Sequence, residues 1–373
     1  MLFANEHGHV GVGKLYGEEM KYRHEIQRYL REFTLLLKSI WKQRNGVEKE
    51  ILYVNYIRKQ SYQRKWFYDF LTHHKLLIPG KRFQLVLFSV MGRRWMTKLP
   101  FGRPKVFFTA ENTTGRHINY DDYLDDTVDL SLGFKPTCTT KNRLNFPLWI
   151  LYNIAPSNSR SESTKNKVYS AEAFIRVLEQ IPDFEHRPYD MALICRHDNI
   201  GNGKGNRGQA LDMFQQAGFK VLSAGRFRKN TTILDDEFSN DHLRLLQQCK
   251  FYICMENTDA PGYTTEKLFD ALKSGAIPIY WGSEGRPARD VLTGNGIVFY
   301  DPSYPQKCLS IVKKITSDVT FRQEFLSKPK THPQASQIIS NCMELLSAGR
   351  MEMTSMPMLA QEKIKQLKYC TFR

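Results

Sequence analysis

No apolar run in the 373 residues approaches the roughly 20 needed for a membrane-spanning helix. The opening stretch, MLFANEHGHVGVGKLYGEEM, lacks even a short one, so the expectation is a chain without signal peptide or membrane anchor. Seven cysteines occur, at 138, 195, 249, 254, 308, 342 and 370, and no two form a Cys-x-x-Cys pair. That spacing argues against a structural zinc site, and the odd, scattered set argues against a disulfide framework. Reduced thiols, several of them in the core, are expected. Asn112-Thr113-Thr114 and Asn230-Thr231-Thr232 fit the glycosylation sequon, and without an export signal they are read as chance matches.

Negative charge is also in short supply. Lys and Arg total 54 against 38 Asp and Glu, a net charge of +16. The first 100 residues hold 19 basic and 8 acidic side chains, so eleven of those sixteen charges lie there. Such a surplus suits an anionic partner, whether nucleic acid, an anionic membrane face or a phosphorylated substrate. With 41% hydrophobic and 25% charged residues, the composition is otherwise that of a soluble globular protein. It excludes a mainly disordered chain, a collagen-like fibre and a polytopic membrane protein. The length favours two domains.

Residues 17–45 read as one basic amphipathic helix. Met20, Ile26, Tyr29, Leu30, Phe33, Leu36, Leu37, Ile40 and Trp41 recur at helical spacing, and Asn45-Gly46 ends the run. The reading is a helix packed on the body with a solvated charged face, in preference to a membrane-surface helix. Strand-like runs follow at 51–57, 83–90 and 105–110, with a helix between the first two, which implies a parallel βαβ unit. FPLWILYNI (146–154) is a buried helix or strand, and 157–167 a polar linker. A second alternation of strands and helices starts near residue 190 and runs to about 301. Residues 304–349 read as helical throughout, and 350–373 as a docking helix. Two such blocks suggest two Rossmann-like domains facing across a cleft, with ligand beyond the carboxyl ends of the strands. The division is 1–46 basic helical extension, 47–165 N-terminal domain, 166–330 C-terminal domain and 331–373 C-terminal helices.

The loop GNGKGN (201–206) fails the P-loop pattern, because Gly205 follows Lys204, and fails GxGxxG by one position. It is read as a flexible surface turn. Arg207, opening the next helix, is a poor dipole partner unless an anion sits between it and the helix amides. The informative stretch is CMENTDAPGYTTEKLFDALKSGAIPIYWGSEG (254–285). A strand ends in Glu256-Asn257, and a helix then opens with Thr264 or Thr265 as cap. Lys267 falls in its first turn, where a bound diphosphate would reverse the dipole penalty, and Glu266 could accept hydrogen bonds from a ribose diol.

These residues resemble the signature of the α1,3/α1,4-fucosyltransferases, glycosyltransferase family ten. That pattern runs F-x-x-x-F-E-N-S, then Y-V-T-E-K, then A-x-x-x-x-x-I-P-I-Y-W-G. The chain carries Phe251, Met255, Glu256-Asn257-Thr258, Tyr263-Thr264-Thr265-Glu266-Lys267 and Ile277 to Gly282. KVFFTAEN (105–112), FPLWILY (146–152) and VLFSVMG (86–92) resemble the family's earlier segments in order and spacing. The likeness covers about residues 50–302 and is of the bacterial type. Ala110, Met255 and Thr264 replace usual family residues.

The resemblance implies an α/β chain of the GT-B fold with extra terminal helices. It implies an inverting transfer of L-fucose from GDP-β-L-fucose to a hydroxyl of a GlcNAc-containing oligosaccharide or glycolipid, in α1,3 or α1,4 linkage. Glu111 matches the catalytic base, and Arg207 with Lys267 the diphosphate clamp. Glu266 matches the ribose ligand, Asn257 and Tyr263 donor contacts, and Arg226 a basic position facing the nucleotide. Glu256 is either a donor contact or a supporting residue. No Asp-x-Asp triplet is present, which fits a clamp of side-chain cations with no required cofactor, a divalent metal being at most stimulatory. The expected setting is cytoplasmic, peripheral on an anionic inner membrane face. Two other readings compete: the same fold with another nucleotide-sugar donor, and a basic nucleic-acid-binding protein, for which no recognition motif is found.

Overall fold

The computed structural model describes residues 10–55, 62–113, 118–157 and 168–348, with backbone alone for 10–21 and Thr139. The tail expected to form a docking helix, most of the polar linker and Cys370 lie outside the described residues.

Two five-stranded parallel sheets build the molecule. In the first, β1 (Ile51–Val54), β2 (Leu85–Phe88), β3 (Lys105–Phe108), β4 (Leu130–Gly133) and β5 (Arg143–Asn145) lie in chain order. The Val-, Leu- and Phe-rich strands β1 and β2 are buried along their whole length, as expected of a parallel sheet covered on both faces. Strands β4 and β5 give no sequence signal, being four and three residues long with a polar turn between them.

The second sheet contains β6 (Tyr189–Leu193), β7 (Val221–Ser223), β8 (Cys249–Met255), β9 (Ile277–Trp281) and β10 (Val298–Phe299), in the order β10-β9-β8-β6-β7. The strand order reverses between β6 and β8. In such sheets the loops leaving the two strands at that point diverge and open a crevice at their carboxyl ends.

Helix α1 spans Val10–Arg44 and α2 Tyr62–His73. Between the sheets lie α3 (Leu148–Asn153) and α4 (Ala171–Leu178). The second unit adds α5 (Asn206–Gln216), α6 (Ile233–Asp236), α7 (His242–Leu246) and α8 (Glu266–Ser274). Then come α9 (Pro305–Ser317), α10 (Val319–Ser327) and α11 (Ala335–Ala348). Residues 304–348 thus hold three helices rather than one continuous run. Asp318 leaves helical geometry to cap α10 through its carboxylate on Phe321 N, and the Pro329–Pro333 stretch separates α10 from α11.

The two units share one core. Trp149 of α3 lies 4.4 Å from Phe269 of α8, and Phe174 of α4 lies 5.6 Å from the same ring. Helix α11 returns to pack on α4 and β5. Helix α1 departs from expectation. Glu32 accepts from Arg93 and Trp95, Gln43 pairs with the Tyr53 backbone, and Leu36 is buried. Yet Ile26, Leu30, Phe33, Leu37 and Trp41 stay exposed, Trp41 by 70%. The helix is fastened along one narrow edge, because its apolar arc is wider than the surface it meets.

Candidate active site

A cleft of about 1010 Å³ opens where the two sheets face each other, at the reversal between β6 and β8. Its walls include Glu111, Arg207, Arg226, Asn257, Tyr263, Glu266 and Lys267. Seven of the eight sequence-nominated residues are therefore brought together from four separate chain segments.

Glu111 stands just beyond the carboxyl end of β3, in a turn held by Thr109, whose hydroxyl accepts from Glu111 N at 3.1 Å and donates to its carbonyl at 2.7 Å. The carboxyl group is half-buried, and burial is the largest influence raising its pKa. Lys267 and a hydrogen bond from Tyr263 oppose that rise, while Glu266 and Glu256 add to it. A carboxylate with a raised pKa in a cleft is a stronger base than a free one and a candidate for proton transfer.

Arg207 is the second residue of α5. Its guanidinium donates to His197 O at 2.8 Å, Met255 O at 2.5 Å and Asn257 Oδ1 at 3.2 Å. It therefore ties the loop after β6 to the end of β8, across the reversal. The anion expected against the Arg207 amide is supplied by the chain itself: that N–H already donates to Asp198 Oδ1 and Asn199 Oδ1. A ligand anion has the guanidinium to meet, not this amide. The GNGKGN loop is likewise not the flexible turn expected. Gly203 is buried against Trp281, where a Cβ would come within 1.9 Å of the indole, and Asn202 exchanges hydrogen bonds with the Asp259 backbone.

Lys267 opens α8 beside two carboxylates, Glu256 at 3.5 Å and Glu266 at 3.6 Å. Burial acts to lower its pKa, the two glutamates outweigh that, and the net direction is upward. Its position near a helix N-terminus is thus already compensated without a ligand, which corrects the dipole argument. Arg207 also acts to lower the Lys267 pKa, so the two cations feel one another across the site. A polyanion between them relieves that repulsion.

Glu256 is the one nominated residue that does not reach the cleft. It is fully buried beneath Lys267, accepting from Thr265 N and Thr265 Oγ1, both at 2.7 Å. Its carboxylate, rather than a threonine hydroxyl, meets the start of α8, and Thr265 makes no side-chain cap. Arg226 is exposed at the cleft rim.

The cleft also takes in Gln63, Leu148, Tyr152, Cys195, His197, Asp198, Lys229, Asp235, Asn240 and His242. Leu148 and Tyr152 belong to the FPLWILY segment, whose resemblance gives neither residue a role, and the others lie in segments with no motif of their own. Tyr152 stacks on Tyr62 at 5.2 Å. Burial pushes the Cys195 thiol up to about 11, so it is neutral at physiological pH and unsuited to act as a nucleophile. Among the described residues, no group of three or more His, Cys, Asp or Glu is arranged to hold a metal ion.

Residues 192–343 match the model of the glycosyltransferase family 10 (fucosyltransferase) C-terminal domain. Over that segment the chain is similar to the fucosyltransferase family. The segment contains the reversal, α5 and α8, and so every nominated residue except Glu111. Over 38 residues the chain is 60% identical to the alpha-(1,3)-fucosyltransferase FucT of Helicobacter pylori, covering 10% of this chain and 8% of that protein. Over 99 residues it is 31% identical to alpha-(1,3)-fucosyltransferase B of Drosophila melanogaster, covering 26% and 22%. Over 92 residues it is 32% identical to human GDP-fucose protein O-fucosyltransferase 3, covering 24% and 18%. These matches span less than a quarter of the relatives' own length. Solved structures of an alpha1,3-fucosyltransferase with GDP and with GDP-fucose superimpose with TM-scores of 0.52 and 0.54. Both are 18% identical, and each match covers 82% of this chain and 90% of the other. The two sheets with their helices thus form the GT-B fold.

Proposed function

We propose that the chain is an inverting fucosyltransferase that takes GDP-β-L-fucose as donor. The observation carrying this is the meeting of Glu111 with Arg207 and Lys267 across one cleft, the two cations coming from the segment that matches the family 10 model and Glu111 from the sheet before it. Glu111 removes the proton from an acceptor hydroxyl as that oxygen bonds to the anomeric carbon. The bond from that carbon to the diphosphate oxygen breaks, and its electron pair leaves with GDP. Arg207 and Lys267 offset the charge that builds on the leaving group, which is where such groups lower a barrier most. Glu266 accepts from the ribose hydroxyls, and Asn257, Tyr263 and Arg226 complete the donor side. With two cations facing the leaving group, the clamp needs no metal.

The acceptor we assign is a GlcNAc-containing glycan, free or lipid-linked, entering from the Tyr152 and Gln63 side, with the new linkage α1,3 or α1,4. Contact with an anionic membrane face is supported by the exposed Ile26, Leu30, Phe33, Leu37 and Trp41 of α1, set among Arg28, Arg31, Lys38 and Lys42. No described helix is long and apolar enough to cross a membrane.

Calorimetric titration with GDP, GDP-fucose, GDP-mannose and UDP in EDTA, paired with Glu111→Gln, tests the reading. GDP and GDP-fucose should bind and UDP should not, and Glu111→Gln should keep GDP affinity within a few-fold while losing transfer by at least about a hundredfold. Preference for GDP-mannose would move the donor to another GDP-sugar. Near-normal turnover by Glu111→Gln would remove it as the base.

A further inference from the structure

Glu111 belongs to the first sheet, while the rest of the candidate machinery belongs to the second. A general base works only within hydrogen-bond reach of its proton, so something must hold the two sheets in register at this point. Three contacts cross there. Asn112, next to Glu111, donates from Nδ2 to Thr258 Oγ1 at 2.8 Å, bridging 146 residues of sequence. Thr258 follows Asn257 at the end of β8 and is buried. Beside it, Gly262 adopts φ +70°, and a Cβ there would lie 2.8 Å from Phe134 O of the first unit. Only glycine permits that approach of backbone to backbone. Next along the chain, Tyr263 meets the Phe134 ring edge-on at 4.8 Å and is itself buried.

We infer that Asn112–Thr258 and the Gly262-Tyr263 turn seated on Phe134 form a latch between the units, which makes Thr258 a positioning residue for the base. The inference rests on the reading of Glu111 as base. Around Glu111 the latch gathers Tyr263 from the turn, Glu266 and Lys267 from α8, and Glu256 from just beyond β8. Within it, the Asn112–Thr258 pair sets the distance between base and donor, and Thr258 is absent from the cleft lining. The hydroxyl of Thr258 makes the hydrogen bond, while its methyl group lies near Gly201. The two parts can therefore be separated by substitution.

Thr258→Val keeps the shape and removes the hydroxyl, and Thr258→Ser keeps the hydroxyl and removes the methyl. Transfer to N-acetyllactosamine and GDP affinity by calorimetry are measured for each, with amide hydrogen exchange over 109–113 and 256–263. Thr258→Val should lower kcat about 10- to 100-fold, the scale of a misplacement near 1 Å, with GDP affinity within twofold and exchange faster in both segments. Thr258→Ser should retain at least about half of wild-type kcat. Exchange unchanged in Thr258→Val overturns the latch whether or not the chain transfers fucose. A Ser variant as impaired as Val overturns it too, assigning the effect to the methyl packing. GDP affinity falling in step with kcat would make Thr258 a donor contact instead. A wild type that binds no GDP overturns the functional reading, and the exchange result still decides the latch.

Discussion

At the scale of single residues, the site is governed by how unlike charges are spaced in a partly dry cleft. Glu111 sits among Glu266, Glu256 and Lys267, and its proton affinity is a balance among them on top of burial. In the proposed role of base Glu111 works as carboxylate, so its raised pKa should place the acid limb of the kcat–pH profile above the ordinary carboxylate range. Glu266 raises that pKa, so Glu266→Gln should lower it and shift the acid limb to lower pH. A pH profile that moves upward, or stays still, would separate the limb from Glu111. Residue identity was legible here: Glu111, Arg207, Glu266 and Lys267 are all nominated by motif and all reach the cleft. What no motif could reveal is that Lys267 and the Arg207 amide already have partners within the chain. Those partners lie up to eleven positions away, on the far side of a turn.

At the scale of elements, α8 shows why a signature residue need not touch a ligand. Glu256, at the end of β8, reaches the first turn of α8 through Thr265 and Lys267. The strand thereby locks the helix start that presents Lys267 and Glu266. Glu256→Ala would leave the Thr265 amide and the buried side of Lys267 without their acceptor. The expected loss is about 3 kcal/mol, the scale of breaking a buried charged pair, read as a clear fall in Tm. An unchanged Tm would return Glu256 to the list of direct donor contacts. The long apolar strands and the helices closed by Gly218 and Gly275, at φ +91° and +75°, were readable from pattern. Strands β4 (LSLG) and β5 (RLN) were not, because, unlike the equally short β1 to β3, they lie in no continuous apolar run.

At the scale of the whole molecule, charge and topology act together. The surplus of positive charge falls in the first 100 residues, and the exposed strip of α1 lies within that same stretch of chain. The full chain should co-sediment with phosphatidylglycerol vesicles at low salt, and the bound fraction should fall as salt rises. Leu30→Glu with Trp41→Glu should abolish that binding, and vesicle binding that survives the pair would clear α1 of the role. Sequence by itself determined the fold class and the parallel units, because buried strands need apolar runs, and it nominated seven residues that the fold brings to one cleft. Tertiary structure alone decided that the strand order reverses between β6 and β8, that Glu256 lies beneath the site, that α1 keeps an apolar strip uncovered, and that Asn112 meets Thr258. Each of these depends on which surfaces come to lie against one another, and a pattern local to the chain carries no record of a neighbour 146 residues away.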